Sequence, residues 1–532
     1  MGYRSGGASV GPRGAGGYSG HGGGGTRRAG LKAGPWRRFR SKRPLAQFGY
    51  VVVTITAALA IAVAVTGYVI YERLNGNITK VDVAGLSGKT IYGTLNILVL
   101  GSQERTGQHG HFGYEANPGT TNSDNLLLVH LDPTHTHATV LSIPRDLFVY
   151  EPACKKRAYV GTGIMPAQTY PPGAIIDGAL NIGGPTCAVK TVEDLTGIKL
   201  DHVIVFDFNS FRRMVDALGG VDVCVPPGPG YHDSYSNLNL TPGVHKLTYN
   251  QALAYVRTRH GVGTGADAGG DLPRIQLQQA FISSVVQKVT KEGLLSNFTQ
   301  LYHLAEIATK ALTVDQGLAS PLSLLHLARS LTHLKSKDVS LLTLPTVTNT
   351  YPGLSSHLMA LQPQDDVLYQ MLRTGARWHG RLPTVPFSKV QVEVLNGTGR
   401  TGLAGRTAAA LRKLGFDVTS VGDAPSASTT TVDFRGEVQA DNAYTLMTAL
   451  NSLPEGQNTL NEPAAQIGRP GQVVLTLGTD FSGVNPLAGT HVAKSTKRKK
   501  KTSTGSAVQS RNAGANICSG LPPANARGGQ RG

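Results

Sequence analysis

The sequence predicts an α/β fold behind a single membrane anchor, and three observations carry that prediction. Apolar, β-branched runs alternate with helical patterns from 95 to about 290. A smaller strand–helix unit occupies 389–482. Ahead of both lies a stretch with no charge between Arg43 and Glu72, a gap of 28 residues. About 20 apolar residues suffice to cross a bilayer core.

The anchor comes first in chain order. Five basic residues (Arg37, Arg38, Arg40, Lys42 and Arg43) stand just before the apolar run, so the N-terminus is expected in the cytoplasm and everything after Tyr71 outside it. The apolar run is too long for a signal-peptide core, and its only A-x-A, Ala62–Ala64, lies inside the run, so an uncleaved helix over 48–71 is expected. The formal charge of +18 has a narrow origin. Residues 1–47 hold ten Arg/Lys and 483–532 hold nine, with no Asp or Glu in either. Removing those nineteen leaves 32 basic against 33 acidic residues. The middle is therefore nearly neutral, which argues against a specific nucleic-acid partner. The two Gly/Ser/Lys/Arg-rich tails read as disordered, suited at most to anionic lipid or wall polymer.

Residues 72–94 read as an extended stalk. "LNILVLG" (95–101), "NLLLVHLD" (125–132) and "ATVLSIP" (138–144) read as buried strands, "CAVKTVEDLTG" (187–197) as a helix and "DHVIVFDF" (201–208) as a strand. "NSFRRMVDALGG" (209–220) reads as a glycine-ended helix before the strand "VDVCVP". Thr248 and Gln251 form a capping box for "NQALAYVR", and Asp271 is expected to cap a long helix with Pro273 in its first turn. The first domain is bounded at 95–375, with a linker at 376–388, the small domain at 389–482 and the tail at 483–532.

Four cysteines lie beyond the anchor, none in a C-x-x-C pair, which excludes a zinc ribbon. An oxidising compartment permits a disulfide among Cys154, Cys187 and Cys224. Cys154 and Cys187 both stand in Pro/Gly-rich sequence and are the expected pair. Cys224 then reads as a free buried thiol in "GGVDVCVP", with Cys518 in the tail.

The chemistry concentrates in arginines at element ends. "SIPRD" puts Arg145 and Asp146 directly after a buried strand, the edge where open α/β sheets bind ligands. "YVRTRH" sets Arg257 and Arg259 two apart, on one side if extended. "DLPRIQLQQ" places Arg274 and Gln278 on one helical face, "GSQER" puts Arg105 in the loop after the first strand, and "TNSDN" puts Asp124 before the second. Converging guanidinium groups suit a pyrophosphate, because they pair bidentately with phosphate oxygens and keep their charge. A nearby carboxylate suits Mg²⁺, which shares phosphate oxygens and needs few protein ligands.

The segment "NGTGRTG" imitates a dinucleotide-binding fingerprint, with Gly397, Gly399 and Gly402 spaced G-x-G-x-x-G and Asp417 downstream. The unit is too small for a two-halved dinucleotide sheet and stands outside the cytoplasm, so no NAD is expected. A tight strand-to-helix turn accounts for the glycines.

"LNILVLGSQERTG", "NSDNLLLVHLD", "LSIPRDLFV", "GALNIGG", "DALGGVDVCVP", "ALAYVRTRH" and "DLPRIQLQQ", in this order, resemble the LytR-CpsA-Psr family over about 95–290. Residues 390–425 and "QVVLTLGTDF" resemble the LytR C-terminal domain. The resemblance implies an α-β-α domain with a central mixed sheet. It also implies a membrane-anchored extracellular phosphotransferase that moves a glycopolymer (teichoic acid, capsule or arabinogalactan type) from a polyprenyl-pyrophosphate lipid onto peptidoglycan. By motif, Arg145, Arg257, Arg259 and Arg274 would grip the pyrophosphate, helped by Arg105 and Gln278. Asp124 would serve Mg²⁺ or Mn²⁺, and Asp146 and Asp124 are candidates for the base. The lipid would lie in an apolar tunnel between sheet and helices.

Three departures from the family pattern stand out. Gln103 replaces a metal-ligating Asp, Ile175 replaces a basic phosphate contact two residues before Asp177, and Leu277 replaces a second Arg on the long helix. They leave two alternatives beside the transferase: a polyprenyl-pyrophosphate hydrolase and a non-catalytic wall-binding scaffold.

Overall fold

The computed structural model describes residues 43–88, 93–102, 122–156, 164–167, 174–263, 271–291, 298–348, 357–435, 437–451, 455–458, 471–486, 488 and 508–524. The N-terminal basic tail as far as residue 42, together with Gln103, Glu104 and Arg105, lies outside the described residues.

Helix α1 (Arg43–Asn77) is long and apolar enough from Phe48 onward to cross a membrane. Two hydroxyls in the apolar stretch are satisfied within the helix: those of Thr54 and Thr56 donate to the carbonyls of Tyr50 and Val52, each at 2.9 Å. That local satisfaction is what a hydrocarbon surrounding requires. The unit ends at Tyr68, and Val69–Gly532 form a second one.

The second unit is built on a mixed sheet. Its strands are β1 (Thr79–Val81), β2 (Leu95–Ser102), β3 (Ser123–Leu131), β4 (Ala138–Ile143), β5 (His202–Phe206), β6 (Thr313–Asp315), β7 (Val339–Thr343) and β8 (Ser510–Asn512). They lie side by side in the order β1-β6-β5-β2-β3-β4-β7-β8. β2 runs antiparallel to β3, and β3 antiparallel to β4, while β5 is parallel to β2. The C-terminal ends of β2, β4 and β5 and the start of β3 therefore share one edge. β4 is buried along its whole length, which is why its sequence is a continuous apolar run rather than an alternation. Helices α2 (Gly178–Thr196), α3 (Phe208–Ala217), α4 (Tyr249–Arg257) and α5 (Asp271–Lys291) surround it. Asp207 caps α3 by accepting from the Ser210 amide at 2.8 Å.

The structure corrects four expectations. Residues 72–94 are not an extended stalk: α1 continues to Asn77, Arg73 pairs with Glu306 at 2.7 Å, and Thr79–Val81 pairs in parallel with β6. Cys187 lies in the middle of α2 rather than at its start, because the helix begins nine residues earlier than its apolar periodicity suggests, through the Gly/Pro-rich stretch, and bends at Gly184 and Pro185. Its disulfide partner is Cys154. Cys224 is not free; it is bonded to Cys518. The tail 483–532 is accordingly not disordered throughout. Ser510–Asn512 pairs antiparallel with β7, and Gln287 donates from α5 to the carbonyls of Ala513 (2.7 Å) and Ala515 (2.9 Å). Further on, the Tyr231 hydroxyl donates to Pro522 at 2.6 Å and the Gly263 amide to Pro523 at 2.9 Å. The open edge of β7 supplies the backbone partners that a basic, Gly-rich segment cannot supply for itself.

The small domain carries its own sheet, ordered Asp417–Asp423, Gln391–Asn396, Gln472–Leu477, Thr431–Phe434, Glu455–Asn458. Its glycines have structural reasons. A side chain at Gly397 would come within 2.8 Å of Ala427 Cβ and 2.9 Å of the Pro425 carbonyl. Gly399 and Gly402 sit at φ 70° and 72°, where a Cβ is strained. The stretch 376–388 is a packed joint: Val385 donates to Thr445 Oγ1 at 3.0 Å, and Phe387 stacks on Phe416 at 4.4 Å between centroids.

Candidate lipid-pyrophosphate site

The shared sheet edge gathers the arginines. Arg145 follows β4 and reaches the start of β3, where Nη1 lies 3.0 Å from Asp124 Oδ1. Its Nε lies 3.4 Å from Asp146 and 3.8 Å from Asp271. Arg274, one turn into α5, places Nη1 3.6 Å from Asp124 Oδ1 and Nη2 2.6 Å from Asp271 Oδ1. Arg259 donates to the same Asp271 oxygen at 3.1 Å. Three guanidinium groups thus share one carboxylate whose side chain is 6% exposed. Asp271 is the first residue of α5, and its oxygen holds arginines rather than capping the helix. This residue was legible in sequence only as a cap.

Arg257 and Arg259 do not lie on one extended strand. Arg257 ends α4 and sets its guanidinium 5.3 Å over the Phe208 ring, while the chain turns extended at Thr258 and sends Arg259 to Asp271. Both still face a polar cavity of about 260 Å³ that Asp124, Arg145 and Arg274 also line. Burial opposes the charge on Arg145, but Asp124, Asp146, Asp271 and Asp177 outweigh it and raise its pKa. Burial and then the neighbouring cations Arg274 and Arg145 lower that of Arg259. Such a crowded cationic set is relieved by a bound anion.

Directly alongside is an apolar cavity of about 270 Å³ between sheet and helices. Its walls are Leu127 and Val129 from the sheet, Phe211 from α3, Leu253 from α4, and Phe281 and Val285 from α5. Asp124, Arg257 and Arg274 line both cavities. Gln278 lines the apolar one and donates to the Val256 carbonyl at 3.0 Å, tying α5 to α4. A charged chamber and an apolar slot therefore share a wall, with arginines at the boundary.

The departures find places too. Leu277 is 0% exposed in the core with Phe211, Tyr255 and Phe281, a position that faces apolar packing rather than the charged chamber. Ile175 pairs with Phe148 in a short two-stranded sheet. Beside it, burial raises the Asp177 carboxyl to a pKa of about 6, against the pull of Arg145 and with help from Asp146 and Asp124. Among the described residues no three His, Cys, Asp or Glu side chains cluster as a metal cage. Mg²⁺ does not need one: a single carboxylate with substrate phosphates suffices, and Asp124 at the chamber wall fits that role.

Comparison with known proteins decides the family. The model of the LytR_cpsA_psr family matches residues 66–373. The chain belongs to the LytR-CpsA-Psr family. A second model, described as LytR cell envelope-related transcriptional attenuator, matches residues 389–481. The chain is 26% identical over 406 residues to the cell wall biosynthesis protein LcpA of Corynebacterium glutamicum, covering 70% of this chain and 76% of that protein. It is 24% identical over 305 residues to the polyisoprenyl-teichoic acid–peptidoglycan teichoic acid transferase TagV of Bacillus subtilis, covering 55% and 70%. A solved LytR-Csp2A-Psr enzyme from Actinomyces oris is 24% identical and aligns with a TM-score of 0.40, covering 56% of this chain and 96% of its own.

Proposed function

We propose that this LytR-CpsA-Psr protein transfers a glycopolymer from a polyprenyl-pyrophosphate lipid to peptidoglycan on the outer face of the cell membrane. The observation that carries this reading is the shared wall: Asp124, Arg257 and Arg274 border both the arginine chamber and the apolar slot. A polyprenyl pyrophosphate is a diphosphate joined to an apolar chain, and few other ligands need both halves in contact. The relatives named as a teichoic acid transferase and a cell wall biosynthesis protein support the same reaction class. The two disulfides, Cys154–Cys187 and Cys224–Cys518, support an oxidising location outside the cytoplasm. The basic residues before the anchor support an N-terminus inside.

The chemistry follows from positioning and charge. A sugar hydroxyl of peptidoglycan attacks the glycan-side phosphorus, the bond to the polyprenyl phosphate breaks, and that phosphate leaves with the electron pair. Arg145, Arg259 and Arg274, fixed by Asp271 and Asp124, neutralise charge on the phosphoryl oxygens without reorganising during the step. Arg257 stands at the boundary, where pyrophosphate meets lipid. Mg²⁺, when bound by Asp124 and the phosphates, supplies further charge neutralisation.

The test uses full-length protein in detergent with a synthetic polyprenyl-pyrophosphate glycan, peptidoglycan oligomers and varied Mg²⁺. Coupled product and released polyprenyl phosphate are followed together. Both should appear in equal amounts with the unaltered protein and vanish with Arg145→Ala. Lipid phosphate without coupled product would instead mark a hydrolase, and binding without turnover a scaffold.

A further inference from the structure

We propose that His260, beside the buried carboxylate of Asp233, is the base that removes the proton from the acceptor hydroxyl; this rests on the transferase reading above. The carboxylates nearest the arginines are poorly placed for that task. Asp124 Oδ1 lies within 3.6 Å of both Arg145 and Arg274, and Asp146 Oδ1 lies 3.4 Å from Arg145. In each, Oδ1 is engaged in holding a cation that must meet the phosphates.

The opposite wall of the polar cavity is different. It is made by the hairpin Tyr231–Asp233 and Leu238–Leu240, and by the turn after α4. Asp233, with its side chain 1% exposed, is the knot between them. Its Oδ2 accepts the amides of Arg259 (3.0 Å) and His260 (3.2 Å), and its Oδ1 accepts the amide of Tyr235 (2.9 Å). His260 Nδ1 lies 3.4 Å from the same Oδ1. The Tyr235 ring lies against the imidazole at 4.4 Å between centroids. Nδ1 makes no hydrogen bond in this state but stands within ion-pair distance of the buried carboxylate, which would stabilise the imidazolium formed when His260 takes a proton from the cavity it lines. His260, Asp233 and Tyr235 line the same chamber as Arg145, Arg257, Arg259 and Arg274. Imidazole is also the side chain whose proton exchange suits neutral pH.

The step balances without another reactant. The acceptor oxygen forms its bond to the glycan-side phosphorus, and its proton moves to His260 Nε2. The phosphorus–oxygen bond to polyprenyl phosphate breaks with the electron pair on the leaving oxygen. The imidazolium then returns its proton to water. The adjacent backbone is clamped by the C-terminal segment, through the bridge Val262–Ala524 and the Gly263–Pro523 hydrogen bond.

The experiment compares full-length protein with His260→Asn in the coupled-product assay, and measures binding of geranylgeranyl pyrophosphate to each by calorimetry. General-base removal costs on the order of 10²–10⁴ in rate. The expected result is a kcat lowered at least a hundredfold in H260N, with the KM for donor and the Kd for geranylgeranyl pyrophosphate changed less than threefold. A kcat within tenfold of the unaltered protein would overturn the proposal. So would a matching loss of lipid affinity, which would make His260 a pyrophosphate contact. Absence of transfer by the unaltered protein overturns the transferase reading itself, and the base with it.

Discussion

Asp271 and Arg274, three residues apart in the first turn of α5, meet at 2.6 Å, and the same Asp271 oxygen takes Arg259 at 3.1 Å. This carboxylate organises the cationic chamber, so Asp271→Asn should scatter the arginines without emptying the core. A hydrogen bond to a charged group is worth about 1.5–3 kcal/mol, which corresponds to roughly a ten- to hundredfold change. Steady-state kinetics should show kcat/KM for the lipid donor lower by about that factor. An unchanged value would mean the arginines need no organiser.

The apolar slot makes a separable claim. Ile282 lines it from α5, and Ile282→Trp fills it. Calorimetry should show geranylgeranyl pyrophosphate binding weakened at least tenfold, with inorganic pyrophosphate bound as before. Equal weakening of both ligands would indicate general damage rather than a blocked lipid site.

Much of this site was legible in sequence, and what was not has a physical explanation. Arg145, Arg259, Arg274 and Asp124 stand at element ends, where apolar runs stop abruptly at charge, and the structure brings them together. Asp271 and Asp233 were hidden because a carboxylate at a helix start or in a hairpin has local uses that sequence cannot distinguish from long-range ones. The apolar slot is composed of residues that read as ordinary core on six elements. The C-terminal strap was missed because composition spoke louder than chemistry. A run of lysines marks 494–501, yet the cysteine count was the better signal. Once Cys154 and Cys187 pair, Cys224 and Cys518 are the remaining two in an oxidising compartment.

That strap supports a stability prediction. Cys518→Ser opens the link to Cys224 while leaving the Ser510–Asn512 pairing in place. Removing a native disulfide costs about 2–5 kcal/mol. Urea unfolding under non-reducing conditions should show a loss in that range. A midpoint equal to that of the unaltered protein would mean the strap is held by its hydrogen bonds alone.

Glu151 gives a pH dependence. It is buried, and burial raises its pKa above the ordinary glutamate value. The folded state therefore keeps a proton that the unfolded chain has already shed, and stability falls as pH rises through that window. Above the folded pKa the loss is complete. Glu151→Gln should flatten the fall and leave the protein more stable at neutral pH, as read by unfolding at a series of pH values. A variant less stable than the parent at pH 7 would show that the charged form has a stabilising role.

Gln103 stands where the family usually has an aspartate. Restoring it with Gln103→Asp adds a charged oxygen ligand and should raise the apparent Mg²⁺ affinity of transfer. A metal titration of activity that superimposes on that of the unaltered protein would refute this.

The most direct test of the account is where the lipid chain lies. A polyprenyl pyrophosphate carrying a diazirine in its second isoprene unit, crosslinked to the full-length protein and mapped by mass spectrometry, would label the slot walls. The account predicts modification on Phe206–Met214, Leu253–Val256 and Phe281–Val285, suppressed by excess geranylgeranyl pyrophosphate. Labels confined to the small domain or to the membrane helix would contradict it.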